Sequence, residues 1–129
     1  MIITESKLYG IIRSQLKKID KIGIVSCNSC ARICGTGGRE GMDKLAIKLR
    51  KDGFNVVDTD LIGRPCAYDE LELKKGELHG DTTIVLACDA GVHLLKKLFP
   101  GRKIILGLDS IGVGTWDKEG NLTLVRKFE

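Results

Sequence analysis

Cysteine side chains are the groups of this 129-residue sequence that are best suited to chemistry. There are five of them: Cys27, Cys30, Cys34, Cys66 and Cys88. The first three have the spacing C-x2-C-x3-C, which lets neighbouring sulfurs bind one metal ion or one cluster. A C-x2-C pair is also the spacing of a redox-active dithiol. The residue types therefore indicate either metal binding or thiol redox chemistry.

The cysteines come at the ends of strand-like segments. The C-x2-C-x3-C cluster follows the apolar run Lys21–Ser26. Cys66 comes after the β-like run Phe54–Ile62. Cys88 closes the run Thr82–Ala87. Because the carboxyl ends of parallel strands share one edge of a sheet, we expect the thiols to converge there.

Three kinds of site fit this arrangement, and the sequence leaves them open. In the first, four thiolates hold a 4Fe-4S cluster, and Cys66, on an outer strand, is the most dispensable of the five cysteines. In the second, the cysteines form a structural zinc site, although such sites commonly use two C-x2-C pairs. In the third, Cys27 and Cys30 act as a thiol–disulfide oxidoreductase pair, which leaves the other three thiols without a role.

The residues around the cysteine cluster suit an anionic group. Gly35, Gly37 and Gly38 free the backbone to approach a bound cofactor and to aim N–H groups at it. Two helices are predicted to begin beside cysteines, and the N-termini of helices stabilise thiolates and anionic clusters. Three arginines can offset the remaining charge: Arg32, Arg39 and Arg64.

Strand and helix alternate along the sequence. Apolar residues with helical spacing predict a first helix over residues 5–19 and a second around residues 42–49, which Gly53 ends. A third helix begins at Asp89 as its cap and ends before Pro100. This alternation predicts βαβ units and therefore a parallel sheet.

Two more strands complete the predicted fold. Residues 103–108 form a fourth parallel strand, and residues 122–128 form a short antiparallel edge strand. Residues 109–114, between them, are predicted to form a loop at the cysteine edge. The predicted fold class is α/β: a single-domain layer sandwich, flavodoxin- or Rossmann-like, with a mostly parallel four-stranded sheet.

Composition excludes several classes of protein. The net charge is +4 and the basic pairs are dispersed, so no nucleic-acid surface is expected. No apolar stretch approaches the roughly 18 residues of a membrane span, and no signal sequence is recognised. We therefore expect a cytoplasmic protein, in which clustered cysteines bind metal or do redox work.

The sequence offers no catalytic machinery that can be named. It shows neither a Ser–His–Asp arrangement nor paired acid and base carboxylates. The segment Cys34–Gly41 matches neither G-x-G-x-x-G nor the P-loop pattern. The two histidines, His79 and His93, are expected to lie at the surface. We assign no catalytic residues and expect a non-catalytic redox subunit.

The order of the cysteine motifs resembles that of a known family. The matching segments are Cys27–Gly38, Cys66, Ala87–Val92, Phe99-Pro100 and Leu108–Gly114. They are similar to the N-terminal domain of the MetV family, the small cysteine-rich subunit that accompanies methylenetetrahydrofolate reductase in acetogens and related anaerobes. The resemblance covers about residues 18–120. It does not extend to the second cysteine-rich segment of the family subunit.

This resemblance implies an iron–sulfur module of anaerobic one-carbon metabolism. The implied cofactor is a 4Fe-4S cluster, and the ligands carried over by position are drawn from the five cysteines. The implied partner is a flavoprotein reductase, or another redox subunit, with which the module exchanges electrons. No substrate chemistry of its own is implied.

Overall fold

Two β-sheets of different type form the framework of the protein, and the computed structural model describes all 129 residues. The strands, in chain order, are β1 (Ile2–Ser6), β2 (Lys21–Cys27), β3 (Asn55–Ile62), β4 (Thr82–Leu86), β5 (Lys103–Leu106), β6 (Leu108–Trp116) and β7 (Leu122–Lys127). The order β3-β2-β4-β5 forms a parallel sheet, and the order β1-β6-β7 forms a separate antiparallel sheet. The predicted α/β class with a four-stranded parallel sheet is confirmed.

Five helices lie between the strands: α1 (Tyr9–Ser14), α2 (Cys30–Ile33), α3 (Gly38–Lys51), α4 (Tyr68–Lys74) and α5 (Asp89–Leu98). A short 3-10 turn follows α4. None of the helices has the length and apolar character needed to cross a bilayer. Helix α3 ends where the sequence predicts, because Gly53 has a φ of 86° and reverses the chain after the last turn.

The two central strands of the parallel sheet carry the core. Every residue of β2 after Lys21 is buried, and so is every residue of β4. Ile22, Ile24 and Ile84 have exposed fractions of 0%. Continuous apolar runs of this kind are typical of strands that helices cover on both faces.

The connections between strands place helices on both faces of the parallel sheet. Helix α3 joins β2 to β3, and α5 joins β4 to β5, in the opposite direction across the sheet. Because such crossovers are right-handed, the two helices lie on opposite faces. Helix α1 lies beside α3, since the Tyr9 hydroxyl donates a hydrogen bond to the Asp52 carboxylate at 2.5 Å. The order of the strands reverses between β2 and β4, where open α/β sheets bind ligands.

The helix predicted over residues 5–19 is wrong at both ends. The chain begins with β1, which pairs with β6, and α1 contains only six residues. Three apolar residues that suggested the longer helix are exposed: Leu8, Ile11 and Ile19. Of the same set, only Ile12 and Leu16 are buried. The polar backbone groups of β1 are satisfied by β6, a partner that helical spacing does not reveal.

The loop predicted over residues 109–114 is wrong as well. These residues belong to β6, which pairs with β1 on one side and with β7 on the other. A Cβ atom at Gly114 would lie 2.6 Å from the carbonyl oxygen of Thr123, so glycine permits the close approach of β7. The antiparallel edge strand predicted at the C-terminal end is present as β7, and it borders this second sheet.

Candidate thiol site

The pKa of the Cys66 thiol is affected by three other cysteines. Cys66 follows β3 in the turn before α4 and is exposed as a residue, although its thiol is partly shielded from water. Desolvation raises the pKa of this thiol, and Cys88, Cys27 and Cys30 raise it further by like-charge repulsion. Repulsion between thiolates requires that they lie within electrostatic range of one another. The structure therefore brings together cysteines from the ends of β2, β3 and β4.

Cys27 is the most deeply placed member of this group. It is the last residue of β2, with an exposed fraction of 6%. Its Sγ accepts a hydrogen bond from the backbone N–H of Ser29 at 3.3 Å. Cys30, half-buried, is the first residue of α2, so the C-x2-C turn presents one buried and one half-buried thiol.

Cys88 immediately precedes α5 and is half-buried. Its carbonyl oxygen accepts the N–H of Val92 at 3.1 Å, which starts the helix. The next N–H, of Asp89, donates to the Ser110 hydroxyl of β6 at 3.0 Å. The antiparallel sheet thus closes one side of the thiol group.

Cys34 differs from these four residues in its contact with strand β1. Its Sγ contacts the carbonyl oxygen of Ile2 in β1 at 3.7 Å. It is absent from the groups that raise the pKa of Cys66. Helix α2 is a single turn, closed by the N–H of Cys34 donating to the carbonyl of Cys30 at 3.0 Å. This turn carries the third cysteine of the motif towards the N-terminal strand.

The three glycines predicted to line a cofactor shape the loop between α2 and α3. The N–H of Gly35 donates to the carbonyl of Arg32, and that of Gly37 to the carbonyl of Ala31, each at 3.0 Å. A Cβ atom at Gly37 would lie 2.7 Å from the Cβ of Ala31. Gly38 has a φ of 68°. Two of the three N–H groups are therefore used by the loop itself.

Two of the arginines predicted to offset charge remain close to the cysteine loop. The Nε of Arg32 donates to the carbonyl of Asn28 at 3.0 Å. Arg32 and Arg39 line a groove of about 440 Å³ next to the glycine loop. Arg64 is engaged elsewhere, because its guanidinium forms an ion pair with Glu70 at 3.0 Å.

Residues of the antiparallel sheet border the site, and the sequence predicts this position for one of them. A cavity of about 270 Å³ beside Cys88 is lined by Ile2, Ser110 and Phe128, together with the first residues of α5. Ser110 belongs to the segment predicted at the cysteine edge, whereas no motif connects Ile2 or Phe128 with a cysteine. The pairing of β1 with β6 brings them there, and it joins the two ends of the chain.

A bound metal would place geometric demands on the thiols. No three His, Cys, Asp or Glu side chains are arranged to hold a single ion. Zinc binds thiolates at about 2.3 Å, so a zinc site needs its sulfurs in mutual contact. The donor set itself, four cysteines, is the one that a 4Fe-4S cluster takes. All five cysteines are free thiols, and both histidines are exposed.

Comparisons of the chain with protein-family models, curated proteins and solved structures give no match. The class of the protein therefore rests on its own fold and site. It is an α/β protein in which Cys27, Cys66 and Cys88 lie at or after the carboxyl ends of three neighbouring strands of the parallel sheet.

Proposed function

We propose that the protein is an iron–sulfur electron-transfer subunit that binds one 4Fe-4S cluster. The proposed ligands are Cys27, Cys30, Cys66 and Cys88. The observation that carries the proposal is the position of these cysteines at or after the ends of the neighbouring strands β3, β2 and β4, where Cys88, Cys27 and Cys30 raise the pKa of the Cys66 thiol. Cys34 is the cysteine left over, because its Sγ faces the backbone of β1. From strand order alone, Cys66 would have been the cysteine that does not bind the cluster.

The spacing of the cysteines in the sequence favours a cluster over a zinc ion. Structural zinc sites commonly use two C-x2-C pairs, and this chain has one such pair. In a 4Fe-4S cluster each thiolate binds a different iron, so the sulfurs stand apart by the width of the cluster. Cysteines drawn from the ends of three different strands suit the larger group.

Electron transfer is the chemistry that such a cluster supplies, and the chain itself tunes it. The burial of Cys27 and the N–H···S bond from Ser29 act on the reduction potential. Cys66 is exposed, which places one side of the group near the surface where a partner can approach. No side chain nearby is arranged for substrate chemistry, so we assign a non-catalytic role.

The partner is assigned by the resemblance of the cysteine motifs. Cys27–Gly38 and Ala87–Val92 carry that resemblance. We propose a cytoplasmic complex with a flavoprotein of the methylenetetrahydrofolate reductase type, in anaerobic one-carbon metabolism. Association of the purified chain with such a reductase, measured by gel filtration under nitrogen, tests this part of the proposal. A cluster-loaded chain that does not associate would point to another redox partner.

The cluster is tested by purifying or reconstituting the chain without oxygen. We expect brown protein with absorbance around 400 nm, about four irons per chain and a paramagnetic signal on reduction. Metal analysis and electron paramagnetic resonance provide the readouts. Colourless protein with one tightly bound zinc per chain would replace the proposal with a structural zinc site.

A thiol–disulfide oxidoreductase is the second candidate function. It is favoured by the C-x2-C spacing, with Cys27 at the end of β2 and Cys30 at the start of α2. Turnover of a disulfide substrate by metal-free protein, abolished in Cys27→Ser, would support it. Failure of the metal-free chain to reduce insulin disulfides would exclude this function.

A further inference from the structure

A cavity of about 230 Å³ lies between α1, α3 and the carboxyl edge of the parallel sheet. Its apolar lining comes from Ile12 of α1, Leu45 of α3 and Leu86 at the end of β4. No cysteine lines it. The cavity stands beside the reversal of strand order between β2 and β4, where open α/β sheets bind ligands.

The polar lining of this cavity is cationic. Lys7, Lys44 and Lys48 line it, and no aspartate or glutamate does. Lys7 forms an ion pair with Asp109. Lys44 pairs with Glu40 at 2.9 Å, but both side chains are largely exposed, so the pair is weak. Lys48 has no carboxylate partner. At least two ammonium groups are therefore available to a bound anion.

Tyr9 forms one wall of the cavity beside Lys48. The Nζ of Lys48 lies 4.7 Å from the centroid of the Tyr9 ring. Desolvation and the hydrogen bond to Asp52 raise the pKa of Tyr9 to about 12. The hydroxyl therefore stays protonated near neutral pH and adds no negative charge. The ring offers a flat apolar surface directly below a cation.

We propose that this cavity binds a small organic anion, with one carboxylate or phosphate group on an apolar body about the size of a single ring. The lysines bind the anionic group, and the side chains of Ile12, Leu45 and Leu86 contact the apolar body. The cavity is smaller than the roughly 300–1,000 Å³ of pockets that hold drug-sized ligands, which limits the ligand to this size. The proposal goes beyond electron transfer and does not depend on the cluster, because no thiol takes part.

Phenyl phosphate is the probe that combines both parts of this chemistry. Titration of the full, isotope-labelled chain is expected to shift the amide resonances of Gly35, Gly41 and Gly107, whose backbones line the cavity. Phenol and inorganic phosphate each carry half of the chemistry, and we expect each to bind about tenfold or more weakly. Benzoate, measured in parallel, distinguishes a preference for carboxylate from one for phosphate.

Two substitutions on α3 make a matched pair. Lys48→Gln removes a cation from the lining and is expected to weaken phenyl phosphate binding by about tenfold, the effect of one charge-assisted hydrogen bond. Lys51→Gln changes an exposed lysine of the same helix outside the lining and is expected to leave binding unchanged. Both positions are exposed, so both variants should fold, which circular dichroism checks.

Three results would overturn the assignment. They are resonance shifts scattered over the surface, equal binding by the two variants, and binding of inorganic phosphate as tight as that of phenyl phosphate. The resonance shifts caused by phenyl phosphate are measured independently of the iron content of the protein. Its failure therefore leaves the proposed cluster untouched, and loss of the cluster proposal leaves the titration valid.

Discussion

The Cys88 thiol raises the pKa of the Cys66 thiol although strand β2 lies between the strands that carry them. Cys66 follows β3 and Cys88 follows β4. The end of β2, with Cys27, occupies the space between these two connections. A group bound by these cysteines would link the loops that follow β2, β3 and β4. Such binding would raise the free energy of unfolding, because the unfolded chain cannot assemble the same donors.

Serine substitutions separate the proposed ligands from the remaining cysteine. Cys88→Ser is expected to lower the iron content of reconstituted protein far below about four atoms per chain, because one thiolate ligand is lost. Cys34→Ser is the control, since its thiol faces the Ile2 carbonyl. Iron analysis and visible absorbance give the result. Full iron content in Cys88→Ser, or loss of iron only in Cys34→Ser, would contradict the ligand assignment.

The pH dependence of alkylation tests the thiol group in metal-free protein. Iodoacetamide reacts with the thiolate, and the raised pKa of Cys66 keeps its thiol protonated to higher pH than the ordinary value of about 8.5. The Cys66 reaction should therefore remain slow at pH 8 and accelerate only in more alkaline solution. Mass spectrometry of the peptide that contains Cys66 follows the rate.

Cys88→Ser supplies the discriminating control for that measurement. Removing a neighbouring thiolate should move the alkylation midpoint of Cys66 to lower pH, because one source of like-charge repulsion is gone. Cys34→Ser should leave the midpoint in place. An unchanged midpoint in Cys88→Ser would mean that the two thiols do not interact.

Two glycine substitutions compare a crowded position with an open one. Gly37→Ala would bring a Cβ atom to 2.7 Å from the Cβ of Ala31 and 3.1 Å from the carbonyl oxygen of Leu86. We expect it to lower the free energy of unfolding by about 1–3 kcal/mol, the cost of overpacking. Gly10→Ala meets no atom within 4 Å and should be neutral or slightly stabilising, since alanine favours the helix.

Urea unfolding, followed by circular dichroism, measures both glycine variants on one scale. The comparison also bears on the role of the loop. If Gly37→Ala kept full stability and lost iron, the glycine would serve the cofactor directly, as the sequence alone suggests, and not the packing of the loop.

Tyr9→Phe tests the link between α1 and α3. The hydroxyl of Tyr9 donates to the Asp52 carboxylate at 2.5 Å, and its loss should reduce the free energy of unfolding by about 1–3 kcal/mol, as for hydrogen bonds to charged groups. Tyr68→Phe, at an exposed position on α4, should change it by less than about 0.5 kcal/mol. Equal stability of the two variants would show that the contact contributes nothing.

The parallel sheet is predictable because its signals are local. The runs around Ile22, Ile24 and Ile84 are continuous and apolar, as strands between two helical layers require. Gly53 likewise ends α3 through its own backbone conformation. Strand β1 gives no such signal, because it is a strand only by virtue of pairing with β6 at the other end of the chain.

The placement of individual cysteines is predictable only in part. The strand-end rule correctly predicts that Cys27, Cys66 and Cys88 lie at or after the carboxyl ends of strands of one parallel sheet. The rule does not predict the orientation of Cys34, because the motif C-x2-C-x3-C does not specify the direction of a single helical turn. That direction is decided by β1, whose backbone receives the Cys34 thiol.

Strand β7 is exposed along its whole length, and no further strand covers its outer side. Its unpaired backbone N–H and C=O groups can form hydrogen bonds with a strand of another copy of the protein. Arg126 and Lys127 near its end oppose this, because copies that approach one another bring like charges together. Dissolved salt screens that repulsion beyond about 10 Å at 0.1 M. Concentrated solutions of the protein should therefore aggregate least at low ionic strength, where the repulsion between copies is least screened.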